Sequence, residues 1–366
     1  MKPSGNRPDC YRTPVIACVI GCLLAGCTVV GPSALRSGRL AYNAAIAETN
    51  NQQMLMFVIQ NRYGESASLL AVASVTANVS ITASTGIQLG FGDKDDYAGN
   101  LVPFSAGAVY EENPTISYTP VAGAEYARQV FSPVPIAVLA QMTGTLADPA
   151  HVYNALVSGV NGIRNPDFRF YPTDPDPRFE RFVAIITRLT QADRLHWAED
   201  PGQSGRFSIV IDHYAPSFTA EVRELLGLLG LAAPTDPYAR LILPVFLALD
   251  GRDSGGLGMT TRSVGDLVEM LSAAVKVPEQ DLRKGAATTY PPLGLAGSGL
   301  RIHHSQSGPE HAAVAVQYRD RWFYIDESDQ ATKRFFRLMA ALWSVTIAES
   351  APKGSAAPVL TVPVGR

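Results

Sequence analysis

The stretch that decides the fold reads Ala312-Ala313-Val314-Ala315-Val316-Gln317-Tyr318, Arg319-Asp320-Arg321, Trp322-Phe323-Tyr324-Ile325, and then runs from Ser328 to Ile347 without a glycine or proline. Two β-branched and aromatic runs separated by three polar residues predict a hairpin. The segment after them predicts a final helix, capped by Ser328 or Asp329. Upstream, the pattern predicts a strand over Leu300–His303, a helix over Arg262–Val275 stopped by Pro278, a helix over Ala220–Leu231 and a strand over Phe207–Ile211. An amphipathic helix over Arg178–Gln191 follows Phe170–Pro177, whose three prolines mark a linker.

Before that linker, helices are expected over Pro149–Val160, ending at Gly162, and over Ile136–Met142, introduced by Pro133 and Pro135. Thr115–Thr119 reads as a strand. Val75, Ala77, Val79 and Ile81 alternate with Thr76, Asn78, Ser80 and Thr82, the period of a half-buried strand. Ser84–Gly92 reads as its continuation into a hairpin, and Asp93–Asp96 as a solvated turn. A long first helix is expected from Ser33 to about Asn61. Its first half is polar enough for a surface, and its second half (Met54–Ile59) calls for burial on nearly all sides. The tail after Pro352 is Pro-, Gly- and Ala-rich, with Val359–Val362 an edge strand. Strands and helices come in segregated runs, so the expected class is α+β. The expected division is 1–26, 27–32, 33–165, 178–350 and an extended tail, 351–366. Whether 33–165 and 178–350 are separate or interleaved stays open at this stage.

The chain has 366 residues, 46% hydrophobic and 17% charged, with net charge −3. That content supports a buried core and excludes disorder as the main state. The balance lacks the basic footprint of a nucleic-acid binder. Beyond residue 30 there is no apolar run of about 18 residues, which rules out a polytopic membrane protein.

The first residues read as a targeting leader. Lys2, Arg7 and Arg12 precede an apolar run from Val15 to Leu24, closed by Leu24-Ala25-Gly26-Cys27. The run suits a signal peptide rather than a spanning helix. Small residues before Cys27 admit a signal peptidase, and the thiol of Cys27 is the nucleophile that would take a diacylglycerol. All four cysteines (Cys10, Cys18, Cys22 and Cys27) lie in or at the end of this leader, so a mature chain starting at Cys27 holds one cysteine and no disulfide. Removing residues 1–26 takes away three cations and one anion and leaves a net charge of −5. Thr28, where an aspartate would retain a lipoprotein in the inner membrane, favours the periplasmic leaflet of the outer membrane. Lipid on Cys27 would hold the chain there.

Chemistry-bearing clusters are few. His303, His304 and His311 are three of the six histidines and fall within nine positions. If His303 and His311 faced each other on adjacent strands, with Glu310 nearby, they would be candidate ligands for zinc or copper. The spacing fits no established motif, and half-buried hairpin histidines are the competing reading. Asp326 and Asp329 offer either a carboxylate pair or caps for the last helix. Trp322 and Tyr324 are surface-cluster candidates or cross-strand packing. Gly297-Ser298-Gly299 lacks the outer glycine spacing of a hydrolase elbow. Neither Gly255–Gly258 nor Gly294–Gly299 ends in Lys-Ser/Thr, and Asp93, Asp95 and Asp96 lack the rest of a calcium loop. No catalytic residue and no cofactor is assigned.

Several segments together resemble a family of uncharacterised lipoproteins of Gram-negative bacteria. They are Gly31-Pro32 and Tyr42-Asn43, Arg62-Tyr63-Gly64, Val72-Ala73-Ser74-Val75, Pro114-Thr115-Ile116-Ser117-Tyr118, Val160-Asn161-Gly162-Ile163-Arg164-Asn165, Trp322-Phe323-Tyr324-Ile325-Asp326 with Lys333, and Ala357–Thr361. The similarity spans most of the mature chain, with Gln60-Asn61 a departure. It implies an envelope location and one family along the chain, and no activity. The opening Cys27–Pro32 also looks like the start of outer-membrane efflux-channel lipoproteins, but that likeness stops at Pro32, before the coiled coils and barrel strands such channels need.

The expected function is a non-catalytic envelope lipoprotein that assembles, tethers or assists, with the membrane and an envelope protein as partners and no nucleic acid. The alternative is a periplasmic ligand- or metal-binding protein, or an enzyme, with a site around His303, His304, His311 and Asp326. A third reading, a lipid or glycan binder, rests on Tyr110, Tyr118 and Tyr126.

Overall fold

A computed structural model of the chain describes residues 40, 43–65, 69–76, 79–86, 105–112, 115–121, 124–145, 148–165, 176–236, 238–248, 256–291, 297, 299–350 and 360–363. The leader, Cys27, the Phe170–Pro175 part of the linker and the Asp93–Asp96 turn lie outside the described residues. So does the expected start of the first helix at Ser33.

Helix α1 (residues 43–62) divides as its sequence does. From 43 to 50 every residue but Ile46 is exposed, whereas Met54, Leu55, Val58 and Ile59 are fully buried. The helix closes on Gly64 at φ +69, where the Glu65 amide bonds to the Gln60 carbonyl (2.9 Å) and the Gly64 amide to that of Asn61 (3.0 Å). The ribbon strands follow: β1 (Leu69–Thr76), β2 (Val79–Gly86), β3 (Ser105–Glu112) and β4 (Thr115–Val121). β1 pairs with β4, β2 with β3, all antiparallel, and the expected tail strand β14 (Leu360–Pro363) adds to β4 as an edge. Ser84–Gly86 thus prolong β2, which pairs with β3, and the rest of the expected continuation, 87–92, lies outside the described residues.

The body is built from α2 (Ala124–Phe131), α3 (Ile136–Thr145), α4 (Pro149–Leu156), β5 (Val157–Val160), β6 (Ile163–Arg164), α5 (Pro177–Gln191), β7 (Leu195–Glu199), β8 (Phe207–Ile211), α6 (Thr219–Leu228), β9 (Leu241–Leu247), β10 (Leu257–Thr261), α7 (Val264–Ala274), α8 (Glu279–Arg283), β11 (His303–Ser305), β12 (Ala312–Tyr318), β13 (Arg321–Asp326) and α9 (Gln330–Ser350). Six strands form one sheet in the order β6-β5-β10-β9-β8-β7, antiparallel except for the β9–β10 pair. β5 and β6 precede the proline-rich stretch and β7–β10 follow it, so the two sides share a sheet and interleave. A second sheet has the order β11-β13-β12. The chain is α+β, as expected.

Parity separates the faces of the six-stranded sheet. Leu195, Ile209, Ile211, Leu257, Met259 and Val160 fall on one face and are buried to 2% exposure or less. α3 and α5 pack toward this face, placing Leu139, Phe179, Phe182, Ile185, Ile186 and Leu189 in the same core. α5 starts where Asp176 accepts the Arg178 amide (3.0 Å) and Pro177 opens the first turn. α7 starts with a capping box between Ser263 and Asp266.

Some boundaries differ from the sequence reading. The helix expected to reach Val160 stops at Leu156, and Val157 is extended (φ −94, ψ 120). Asn161-Gly162 supplies the two positive φ values (44 and 79) of a tight hairpin turn from β5 to β6. The strand expected at Leu300–His303 is displaced to His303–Ser305, with Ile302 making a lone bridge to Val275. The last hairpin turns on Arg319-Asp320 alone, since Arg321 pairs with Tyr318. Gly256 is buried against the sheet, where a Cβ would run into the Pro244 carbonyl, and Leu257-Gly258 begin β10. Gly256 thus serves close packing.

Candidate functional site

In the β11-β13-β12 sheet, register determines which candidates meet. His303 lies opposite Tyr324, His304 opposite Phe323, Val316 also opposite Phe323, and Val314 opposite Ile325. Phe323 and Ile325 are fully buried, so His304 shares the inner face while His303, Trp322, Tyr324 and Asp326 share the outer one. The His303 ring stacks on Tyr324, centroids 5.6 Å apart and 27° between planes. Burial, reinforced by Lys276, lowers the pKa of His303; burial, with Arg321, lowers that of His304. Both imidazoles are therefore neutral at pH 7.

Asp326 accepts the Ser328 amide (2.8 Å) and hydroxyl, and those bonds hold its carboxyl below the usual range, with His303 and His311 adding to the effect. Asp329 is the cap of α9. It accepts the Thr332 amide (3.0 Å) and hydroxyl (2.6 Å), and Thr332 in turn accepts the Arg301 amide (2.8 Å). Asp329 thus serves the helix end, the capping reading of this pair.

The expectation that His303 and His311 sit on adjacent strands needs correcting. β13 lies between β11 and β12, so the two histidines are on opposite sides of Tyr324 and Asp326. Glu310 and His311 are exposed, just before β12. Among the described residues no three His, Cys, Asp or Glu side chains come together where they could hold a metal ion. Tyr110 lies in β3, Tyr118 in β4 and Tyr126 in α2, on three separate elements.

A denser constellation forms at the end of α1. The Tyr63 hydroxyl donates to Asp281 (2.8 Å) and that of Tyr290 to Glu269 (2.6 Å). Asn61 donates to Glu269 (3.0 Å) and Ser272 (3.1 Å), and the Ser272 hydroxyl to the Val58 carbonyl (2.9 Å). Arg62, 7% exposed, sits 4.9 Å over the Tyr290 ring, and its Nε and Nη1 have no hydrogen-bond partner. Burial lowers its pKa and raises those of Tyr63 and Tyr290. Arg319 lies 4.5 Å over the Tyr63 ring and bonds Glu65 at 2.7 Å. Burial, then the Glu65 carboxylate, pushes Tyr318 up to about 12.

These groups fasten α1 to α7, α8 and the β12–β13 turn. Phe57 against Trp343 (4.9 Å) adds α9. Arg62-Tyr63-Gly64 was legible as a motif in the sequence, but its partners are more than 200 positions away and carry no local signal.

The second concentration of buried polarity, also unread from sequence, is Arg262. It is fully buried, donating Nη1 to the carbonyls of Asn154 (3.1 Å), Ala155 (3.0 Å) and Val157 (3.1 Å) and Nη2 to that of Asn165 (2.7 Å). A cation on the last carbonyls of α4 sits at the negative end of that helix. Both buried arginines serve joints between elements. Comparison with known protein families, with curated proteins and with solved structures finds no match to this chain.

Proposed function

We propose that the chain is a cell-envelope lipoprotein, held to the periplasmic leaflet of the outer membrane through acylated Cys27, that acts as a non-catalytic assembly, tethering or accessory subunit. The observation that carries this reading is the leader ending in Leu24-Ala25-Gly26-Cys27, which holds every cysteine of the chain. Support comes from α1. Its first half stands exposed over residues 43–50 while its second half is buried and fastened through Asn61, Arg62 and Tyr63. These eight helical residues, all exposed but Ile46, reach about 12 Å at 1.5 Å per residue, a stiff stem between an anchor and a body.

The test is affinity purification of the full-length protein from detergent-solubilised envelopes, with bound species identified by mass spectrometry. A stoichiometric envelope protein that is lost in Cys27→Ser supports the reading. A lone chain carrying a small molecule or glycan overturns it.

A further inference from the structure

We infer that the β2–β3 ribbon is a membrane-spanning hairpin, and that several copies of this chain close such ribbons side by side into one β-barrel. The inference rests on the lipoprotein reading, which brings the chain to an outer membrane. It begins with register. The offset between partners is the same from Ser74↔Ser117 through Thr76↔Thr115 and Val79↔Glu112 to Gly86↔Ser105, so the β1–β4 and β2–β3 ladders are two stretches of one ribbon.

Alternation then assigns positions to faces. Val79, Ile81, Ala83 and Thr85, with Glu112, Tyr110, Ala108 and Ala106 across from them, fall on one face. The face continues in the other ladder as Val75, Ile116, Val72 and Tyr118. The opposite face holds Ser80, Thr82, Ser84 and Gly86 with Ser105, Gly107, Val109 and Glu111. Apart from Thr85 and the terminal Glu112 the first side is apolar, and apart from Val109 and Glu111 the second is built of hydroxyls and glycine. A strand buried against a protein core on one side would show the same period, so alternation alone does not decide.

Edges and length decide. β2 and β3 pair only with each other among the described residues, leaving two open edges of eight residues each. Neither strand contains a lysine, an arginine or a proline, the usual guards of an exposed edge. At the base, by contrast, β14 covers β4 over Thr115–Tyr118. The unguarded part is thus the far part of the ribbon, and identical edges are templates for identical chains. Eight pairs extend about 26 Å along the strands, which crosses about 20 Å at a tilt of about 40°, against an apolar band of about 25 Å on outer-membrane barrels; a shortfall of that size is one that local thinning of the bilayer accommodates. Glu111 and Glu112, the only ionisable carboxylates in these two strands, stand at the end next to β4, where a membrane surface would meet water. A two-stranded ribbon cannot cross a bilayer alone because its edge groups would be unsatisfied. Closure at the smallest barrel size takes about four copies. The apolar-run criterion applied to the sequence tests only for helices.

The test uses single-cysteine variants of the full-length protein in native envelopes: Ile81→Cys and Ala83→Cys on one parity, Thr82→Cys and Ser84→Cys on the other. No cysteine follows Cys27, so the parent is the background. The expected result is alternation. A membrane-impermeant maleimide labels positions 82 and 84 at least about tenfold faster than 81 and 83, and a bilayer-embedded quencher acts on fluorophores at 81 and 83 only. Equal labelling of both parities overturns the inference. Native mass spectrometry of the detergent-extracted protein is expected to give a ring of several copies, and a monomer overturns it as well. Alternating labels on a chain whose Cys27 carries no lipid would refute the lipoprotein reading while leaving the barrel standing.

Discussion

Arg262→Met is the perturbation whose cost the structure allows to be worked through. Asn154 and Val157 carbonyls keep a donor, because Asn165 Nδ2 also reaches them (2.9 and 2.7 Å). The carbonyls of Ala155 and Asn165 lose the guanidinium at 3.0 and 2.7 Å. A buried acceptor left unmade costs about 1–3 kcal/mol, so two of them give roughly 2–6 kcal/mol. Methionine fills much of the volume and removes the burden of a buried charge, which moves the expectation to about 3 kcal/mol. The assay is urea unfolding followed by far-UV circular dichroism. With an m of about 3 kcal/mol/M, the midpoint falls by about 1 M at unchanged slope. Arg262→Lys should lose most of the same stability, since one ammonium cannot span carbonyls on both sides of β5 as the planar fork does. A loss below about 1 kcal/mol in Arg262→Met, or a lysine variant as stable as the parent, would refute this account of the joint.

The pH dependence follows from His151, His303 and His304, whose pKa values are all lowered, by burial first. Their neutral forms are favoured in the folded state, so protonation favours unfolding. Stability is expected to fall as pH drops through their ordinary value of 6.5 and to level off below the lowered folded values, read by thermal melts from pH 8 to 5. In His151→Gln part of that slope should vanish. Asp329→Ala removes the cap of α9 and should cost about 1 kcal/mol in the same urea assay, more than Glu327→Ala on the exposed turn beside it. Gly256→Ala forces a Cβ against the Pro244 carbonyl and should cost about 1–3 kcal/mol. Zinc titrated calorimetrically into the protein should give no heat that His303→Ala or His311→Ala abolishes.

What was legible in the sequence is what is local. α5 carries its cap, its opening proline and its buried stripe (Phe179, Phe182, Val183 and Ile186) within fifteen residues. The β12–β13 hairpin and α9 are equally self-contained, as is the division of α1 into an exposed and a buried half. Val157–Val160 carries no strand signal of its own, because a short apolar run has no distinguishing period. Its strand identity comes from pairing with β10, about 100 positions away. β9 has no clear local signal, since Pro244 argues against an interior strand, yet it lies between β8 and β10.

The candidate site was less legible for the same reason. Proximity in sequence suggested that His303 and His311 were neighbours, and a middle strand separates them. Arg62 and Arg262 gave no local sign of burial, because the carbonyls, rings and carboxylates around them are assembled by the fold.

The central claim is the lipid on Cys27, and the most direct measurement is the intact mass of the protein purified from membranes. The account predicts a chain beginning at Cys27 with the added mass of a thioether-linked diacylglycerol and an amide-linked acyl chain, and an unprocessed precursor in Cys27→Ser. A mature chain beginning elsewhere, or Cys27 present with a free thiol, would contradict it.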